Sequence, residues 1–371
     1  MPLLCCMARK RVPQMPRTSD KNAVPKKMRI CLVTGAKSGL GNAVVRRLLA
    51  RGDEVRVLLR EHKTDLKSFV AGLPPGTIPY IGDVRLTEES DKPALDEASK
   101  GVDCVFHLAG AVYVHKHTFD EFINTNVVGT ENVLKACADN NPGKTIRFIF
   151  PSTVTVYGKK RAGEILTEES DVRPFKAYTN TKVMAEQVIR IFADVNPLIK
   201  YTIFRLSPMY GPGYDEPYFF KTFKYIKEQK LSYVGNGLNH ISLVHEEDAA
   251  DILVSSADMP QAVNKTYNIS DGRDYTIKQL FDKAASFLGV QPPHRHIPPA
   301  LAAIGAKMLN IGSDELDFLT SDRRISIEKA EEELGFKPKM NMDVEGRAMV
   351  DRFLTRHKRY AVVASNHSRS R

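Results

Sequence analysis

Tyr178 and Lys182 stand four positions apart in Tyr178-Thr-Asn-Thr-Lys182, and on a helix that spacing puts both side chains on one face, within reach of each other. A phenol titrates at ~10 and is a poor base at neutral pH unless a cation favours its ionised form. Bringing it to neutrality takes about 4 kcal/mol, and an ammonium one helical turn away is a source of that field. The chemistry open to the pair is proton transfer at a hydroxyl or carbonyl oxygen. A lone Tyr-x-x-x-Lys also occurs by chance on exposed helix faces, so its neighbours matter. Pro151-Ser152-Thr153-Val154-Thr155-Val156-Tyr157-Gly158 follows a predicted strand that ends at Phe150. Its hydroxyls fall at the carboxyl edge of a sheet, where ligands bind.

A second group of residues suits phosphate. Thr34-Gly35-Ala36-Lys37-Ser38-Gly39-Leu40-Gly41 lies between the first predicted strand and the first predicted helix. Glycines let the backbone turn sharply and approach a pyrophosphate, which the N–H groups and dipole of the helix start stabilise. A tight strand-to-helix turn without a ligand is the plainer alternative, and the position in the first βαβ unit argues for the dinucleotide. The second strand ends at Leu59-Arg60. An acidic residue there would hold ribose hydroxyls, whereas an arginine suits a 2′-phosphate, with Lys37 adding charge. NADP is therefore favoured over NAD, the alternative being that Arg60 only solvates a strand end.

The elements that must position these groups alternate from Met28 onward. Short, mostly apolar runs at Arg29–Val33, Glu54–Leu59, Thr77–Ile81, Cys104–Leu108, Ile146–Phe150, Thr202–Leu206 and Thr266–Ile269 predict strands buried on both faces. Helical spacing follows at Gly41–Ala50, Asp120–Cys137 and Ala177–Ala193, where right-handed crossovers need it. The fold class expected is α/β, a doubly wound parallel Rossmann sheet with a smaller C-terminal substrate lobe. Residues 28–205 form the NAD(P)-binding domain. Residues 206–351 form the lobe, with segments returning to the sheet at about 239–270. Within it, MYGPGYDEPYFF, a helix at Lys221–Gln229 and QPPHRHIPP break the alternation. Ile297–Ile311, interrupted by Pro298, Pro299 and Lys307, reads as a buried or surface-docked helix.

The net charge of +10 is carried by the ends: residues 1–27 hold seven Lys/Arg against Asp20, and residues 352–371 hold six with no acid. The body between them is slightly acidic, so a basic groove for nucleic acid is not expected. Residues 1–27 read as a disordered basic tail, or as a start-site artefact with Met28 the working start. They lack the apolar core of a secretory signal. No apolar run reaches the ~18–20 residues of a transmembrane span. Cys5, Cys6, Cys31, Cys104 and Cys137 have no metal-site spacing and fit a reducing compartment, so a cytoplasmic location and no metal are expected. His115 and His117, flanking Lys116, read as solvated loop residues, and His294 and His296 lack metal-binding partners.

Taken in order, the glycine turn at Gly35–Gly41, Gly82-Asp83-Val84, His107-Leu-Ala-Gly110, Asn126-Val-Val-Gly129-Thr130, Ser152 to Gly158, Tyr178 with Lys182, Arg205 through Tyr210-Gly-Pro-Gly213, and Leu334-Gly-Phe-Lys-Pro338 resemble the extended short-chain dehydrogenase/reductase family. The likeness spans residues 28 to about 351. It implies that Tyr178 is the acid/base, Lys182 its pKa-lowering partner and ribose ligand, and Thr153 the hydrogen-bond partner of the substrate oxygen. It implies cofactor contacts along Gly35, Lys37, Ser38, Gly39, Leu40, Gly41, Arg60, Asp83 (at the adenine), Val84, Leu108, Ala109, Gly110, Asn126 and Pro208. The glycine spacing, with Ser38 before Gly39, departs from the extended branch and matches the shorter one. The expected activity is hydride transfer at a secondary alcohol or ketone of a small-molecule substrate, of hydroxysteroid dehydrogenase or dihydroflavonol reductase type. Nucleotide-sugar enzymes of the family carry an arginine after a Gly-x-Gly segment, and Gly235-Asn-Gly237 is followed by none. A sugar epimerase/dehydratase with retained NAD is the alternative, with His240 or Lys221 meeting the phosphate. A non-catalytic dinucleotide-binding subunit is a remoter one. The resemblance also implies a homodimer built on the helices at Asp120–Cys137 and Ala177–Ala193.

Overall fold

The computed structural model describes residues 28–60, 72–112, 117–159, 163–308 and 319–368, together with 70 and 316. Residues 1–27 and His115 lie outside the described residues. Seven strands form the main sheet: β1 (Ile30–Thr34), β2 (Glu54–Leu59), β3 (Thr77–Ile81), β4 (Cys104–His107), β5 (Ile146–Thr153), β6 (Ile199–Leu206) and β7 (Lys265–Ile269). They are parallel throughout and run β7-β6-β5-β4-β1-β2-β3 across the sheet. This is the doubly wound order, and its reversal between β1 and β4 opens the crevice in which such sheets take ligands.

Successive side chains of a strand point to opposite faces, and here both faces are covered. Cys31, Val33, Val57, Phe106 and Ile149 are buried with α1 (Gly39–Ala50), α6 (Glu246–Ser256) and α9 (Glu328–Leu334). Leu32, Val105, Phe148, Phe150 and Ile203 are buried with α2 (Asp91–Ser99), α3 (119–139) and α4 (Ala177–Val195). Burial on both sides is why these strands are mostly apolar.

Two elements differ from the sequence expectation in ways that shape the site. β5 continues through Pro151 to Thr153, three residues past Phe150. Pairing with β4 stops at Ile149 while pairing with β6 continues to Thr153. One edge of β5 is therefore free at that point, where a residue without an N–H costs no ladder bond. The second element is α3, which widens into a π-helical turn at Ile123–Val128 between Phe119–Phe122 and Gly129–Asp139. Turns of this kind recur at functional sites.

The rest of the chain builds a lobe around its own apolar cluster, with Tyr210, Phe223, Tyr233, Phe281, Met349 and Phe353 buried. It contains α5 (Lys221–Lys227), α7 (Ile277–Leu288), α8 (Pro299–Met308) and α10 (Met342–Ser368), with two- and three-residue strand pairs. α10 passes through the 351/352 division without a break, and Arg352 on it bonds Asp215 and Glu345. On α8, Leu301 and Ile304 are 57% and 58% exposed, which puts those two positions at the surface. Among the described residues no helix is long and apolar enough to cross a membrane.

α4 is fastened to the sheet by a buried ion pair. Arg205 on β6 donates from Nε and Nη2 to Glu186 at 3.2 and 2.8 Å, and from Nη1 to the Tyr157 hydroxyl at 3.0 Å. Tyr157 in turn donates to Asn268 Oδ1 on β7 at 2.7 Å. Burial pushes the Glu186 carboxyl up, but Arg205, with Ser152 and Arg190, more than offsets it and holds the group below the usual carboxylate range. Removing one partner of a buried pair costs about 3–5 kcal/mol, and Arg190, 3.0 Å from Glu186 Oε2, keeps the loss toward the lower figure. Arg205→Met is therefore expected to lower unfolding free energy by about that amount, and Glu186→Gln on top of it to recover part of the loss. Urea denaturation of the single and double variants beside the unmodified chain measures both.

Candidate active site

Tyr178, Lys182 and Glu186 follow one another at four-residue spacing on α4, so they share the helix face turned toward the sheet. The Lys182 side chain reaches β5: Nζ donates to the Pro151 carbonyl at 2.7 Å and lies 3.9 Å from the centroid of the Phe150 ring. That carbonyl is available because β4 has already ended, so the strand irregularity and the lysine position have one cause. Lys182 is 7% exposed. Burial pulls its ammonium down to about 7, against an opposing pull from the Glu186 carboxylate. The displacement amounts to about 5 kcal/mol. The sequence spacing predicts a cation beside the phenol, and burial works against that charge while the Glu186 carboxylate supports it.

Thr153 closes β5 two residues beyond Pro151, and its hydroxyl oxygen accepts the Thr155 N–H at 3.2 Å and lies 2.9 Å from Thr155 Oγ1. The bond between the two hydroxyls can run either way, and when Thr155 donates, the Thr153 proton is left for a further partner. Tyr178 is half-buried beside Phe122, with ring centroids 6.2 Å apart. Phe122 also meets the His117 ring edge-on at 5.4 Å.

A directed chain of hydrogen bonds joins the glycine turn to the helix bearing Tyr178. Thr130 donates to the Asn126 carbonyl at 2.6 Å, so its oxygen must accept from His107 Nε2, 3.0 Å away. His107 is fully buried, and burial followed by the Lys182 charge pushes it down to about 3, which makes it neutral. With the proton on Nε2, Nδ1 accepts from the Thr34 hydroxyl at 2.8 Å, and Thr34 Oγ1 accepts the Ala109 N–H at 3.1 Å. Asn126, in the π turn, exchanges bonds with the backbone of Ala111 at 2.8 and 3.1 Å and donates to Thr181 at 3.0 Å. Thr181 donates to the Tyr178 carbonyl at 2.9 Å. Every hydroxyl proton in the chain has one assigned acceptor, so the network holds β1, β4, α3 and α4 in one relative arrangement.

At the glycine turn, Gly35 has φ +73° and a Cβ there would lie 2.6 Å from Ala109 N, so no side chain fits. Ser38 caps α1, accepting the Gly41 N–H at 2.9 Å and donating to the Gly35 carbonyl at 2.9 Å. The Leu40 N–H donates to the Tyr214 hydroxyl at 3.4 Å. This bare backbone at a helix start fits a diphosphate in shape and in polarity. Lys37 and Arg60 are exposed, Arg60 directly at the end of β2. Asp83 is buried and accepts two side-chain bonds from Arg85, at 2.9 and 2.6 Å. The Val84 carbonyl accepts from Asn132, and Val84 packs where a side chain on Gly129 would clash. Leu108 and Ala109 follow β4, Gly110 lies against Asn126 Oδ1, and the Pro208 carbonyl after β6 accepts the Val244 N–H. Thr153, Lys182, Asn126 and the glycine turn thus all lie along the carboxyl edge of the sheet. Thr34, Thr130 and Thr181 were not singled out from sequence. Their signal is a buried histidine at the end of the apolar strand Cys104–His107, which needs polar neighbours. Among the described residues no group of three or more His, Cys, Asp or Glu side chains is arranged to hold a metal ion.

Residues 31–270 match the NAD dependent epimerase/dehydratase family. The chain is 29% identical over 269 residues to a 2-alkyl-3-oxoalkanoate reductase of Stenotrophomonas maltophilia, covering 70% of this chain and 75% of that one. It is 24% identical over 334 residues to a UDP-glucose 4-epimerase of Vibrio cholerae, covering 88% and 96%. Among solved structures, the dTDP-glucose 4,6-dehydratase DesIV of Streptomyces venezuelae, with NAD bound, superposes with a TM-score of 0.71 at 24% identity, over 89% of this chain and 98% of that one. Sequence, strand order and the glycine turn agree: the chain belongs to the NAD dependent epimerase/dehydratase family and is an enzyme of the extended short-chain dehydrogenase/reductase type acting on CH–OH groups.

Proposed function

We propose that this chain is a dehydrogenase/reductase working at a secondary alcohol or ketone, with Thr153, Tyr178 and Lys182 managing the substrate oxygen and its proton. The observation that carries this reading is the anchoring of Lys182 to the Pro151 carbonyl, two residues from Thr153, on the helix face that bears Tyr178. Bound nicotinamide supplies or accepts the hydride. Thr153 donates its remaining hydroxyl proton to the substrate oxygen, and Tyr178 takes up or returns the proton there. In this reading Tyr178 and Lys182 act together, and loss of one proton from the two readies the site for oxidation. Gly35, Ser38, Gly39, Leu40 and Gly41 receive the diphosphate, Asp83 and Val84 the adenine end, and Leu108, Ala109, Gly110, Asn126 and Pro208 border the nicotinamide end. Exposed Arg60 and Lys37 favour NADP through its 2′-phosphate, whereas the solved relative described above holds NAD.

The reductase class is supported by the Stenotrophomonas relative, by the aromatic wall that Phe122 sets against Tyr178, and by the lack of an arginine after Gly237. His240, a candidate for phosphate, is already 3.0 Å from Asp322 Oδ1. A nucleotide-sugar epimerase is the second reading, favoured by the match to the Vibrio enzyme over 96% of its length. Purified protein separates them. Ketone-dependent loss of NAD(P)H absorbance supports the reductase, while NAD released on denaturation together with UDP-sugar interconversion without net NADH overturns it. A homodimer is supported by the apolar outer face of α4, where Ile191 and Val195 are 65% and 74% exposed and Met184 on the same helix is also exposed.

Tyr178→Phe is expected to reduce turnover by roughly 10²–10⁴-fold while dinucleotide still binds. Unchanged turnover on the identified substrate would leave a binding-only role. Because burial brings Lys182 to about 7, oxidation, which needs the pair to have lost a proton, is expected to quicken as pH rises through that value. Reduction, which needs the full complement, slows over the same range, and kcat measured in both directions from pH 5.5 to 9 reads the sign. Light scattering is expected to give twice the 41.5 kDa chain mass, and Ile191→Glu to halve it.

A further inference from the structure

We infer that Glu246 is a further member of the dinucleotide site, and that a dinucleotide binds together with a proton that neutralises this carboxylate. The inference rests on the reading that the glycine turn takes the diphosphate. Glu246 opens α6, and its carboxylate is wedged between the start of α1 and the loop after β6. A Cβ on Gly39 would lie 2.6 Å from Glu246 Oε2 and 2.8 Å from Gly213 Cα, and a Cβ on Gly213 would lie 2.4 Å from both Glu246 Oε2 and Gly39 Cα. Two backbones and one carboxylate therefore meet where a helix start offers its N–H groups to an anion. Next to them the Leu40 N–H is held by the Tyr214 hydroxyl.

The carboxylate is poorly compensated. Glu246 is 4% exposed. Among the described residues its hydrogen-bond partner is the Gly213 N–H, at 3.0 and 3.2 Å, and it makes no ion pair. The charged and titratable groups facing it are Glu247 on its own helix, Arg46 from α1 and Asp215 from the loop, with His245 preceding it. Arg46 is engaged by Glu247 at 2.7 Å, and Asp215 by Arg352. Burial already pushes the Glu246 carboxyl up, followed by the opposing Gly213 bond and the reinforcing charge of Glu247. A diphosphate at the same helix start adds negative charge beside a carboxylate that water does not screen, and like charges so placed cannot all stay ionised. Protonation removes the repulsion and turns an acceptor into a donor for a phosphate oxygen. The proton comes from solvent, so affinity falls as pH rises above the carboxyl's titration point.

Isothermal titration calorimetry of the full chain with NADH, and separately with NADPH, tests this in phosphate and in Tris at pH 6 and pH 8. The buffer dependence of the heat counts protons. We expect close to one proton taken up per NADH at pH 8, weaker binding at pH 8 than at pH 6 by up to tenfold per pH unit, and loss of both effects in Glu246→Gln. Uptake absent from the unmodified chain, unchanged in Glu246→Gln, or confined to NADPH, whose 2′-phosphate titrates by itself, overturns the inference and leaves the dinucleotide reading intact. Failure of both dinucleotides to bind overturns the dinucleotide reading itself, and this inference with it. Should Glu246→Gln not fold by circular dichroism, Glu246→Ala replaces it, and the proton count on the unmodified chain remains decisive.

Discussion

A lysine ammonium almost cut off from water is the constraint from which the rest of this site follows. Lys182 must be given a hydrogen-bond acceptor and a polarisable surface inside the protein, and it receives the Pro151 carbonyl and the face of Phe150. The first is free only because β4 is shorter than β5 and because proline tolerates the unpaired edge. The second is stacked on His107 at 5.9 Å, which keeps that imidazole buried and neutral. Burial brings the lysine close to its titration point, so a modest change in its surroundings changes its charge. A fully solvated lysine on the same helix would be a fixed cation.

Rigidity around that pair comes from side chains that carry no charge. Thr34, His107, Thr130, Asn126 and Thr181 form a one-way sequence of donors and acceptors between the first strand and the helix bearing Tyr178. A network in which each proton has a single destination is costly to rearrange. The buried Glu186–Arg205 pair does the same work lower on α4, tying it to β6. The site is thus set by two fastenings of one helix, one neutral and one ionic, on either side of Lys182.

Much of this was legible from residue order. Mostly apolar strands, such as Cys104–His107 and Glu54–Leu59, could be recognised because both faces of the sheet are covered, and the crossover helices followed from spacing. The glycine turn and the Tyr178/Lys182 spacing were legible because they depend on local geometry alone. The extension of β5 through Pro151 was not, since a proline ordinarily argues against a strand and only the length of the neighbouring strand reverses that. The π turn at Ile123–Val128 was hidden for a similar reason: one extra residue per turn leaves the apolar spacing almost unchanged. Glu246 carried no motif, because what makes it unusual is the Gly39–Gly213 contact, between residues far apart in sequence.

Arg352 clasps Asp215 from α10, the last of the described helices. Synthesis runs from the amino end, and domains condense as they emerge. All seven strands of the sheet have left the ribosome once Ile269 is through, yet the segment bordering the glycine turn must wait for more than eighty further residues before its tether exists. A nascent chain of this enzyme therefore passes through an interval with a complete sheet and an unfastened rim, and only the emergence of Arg352 closes it.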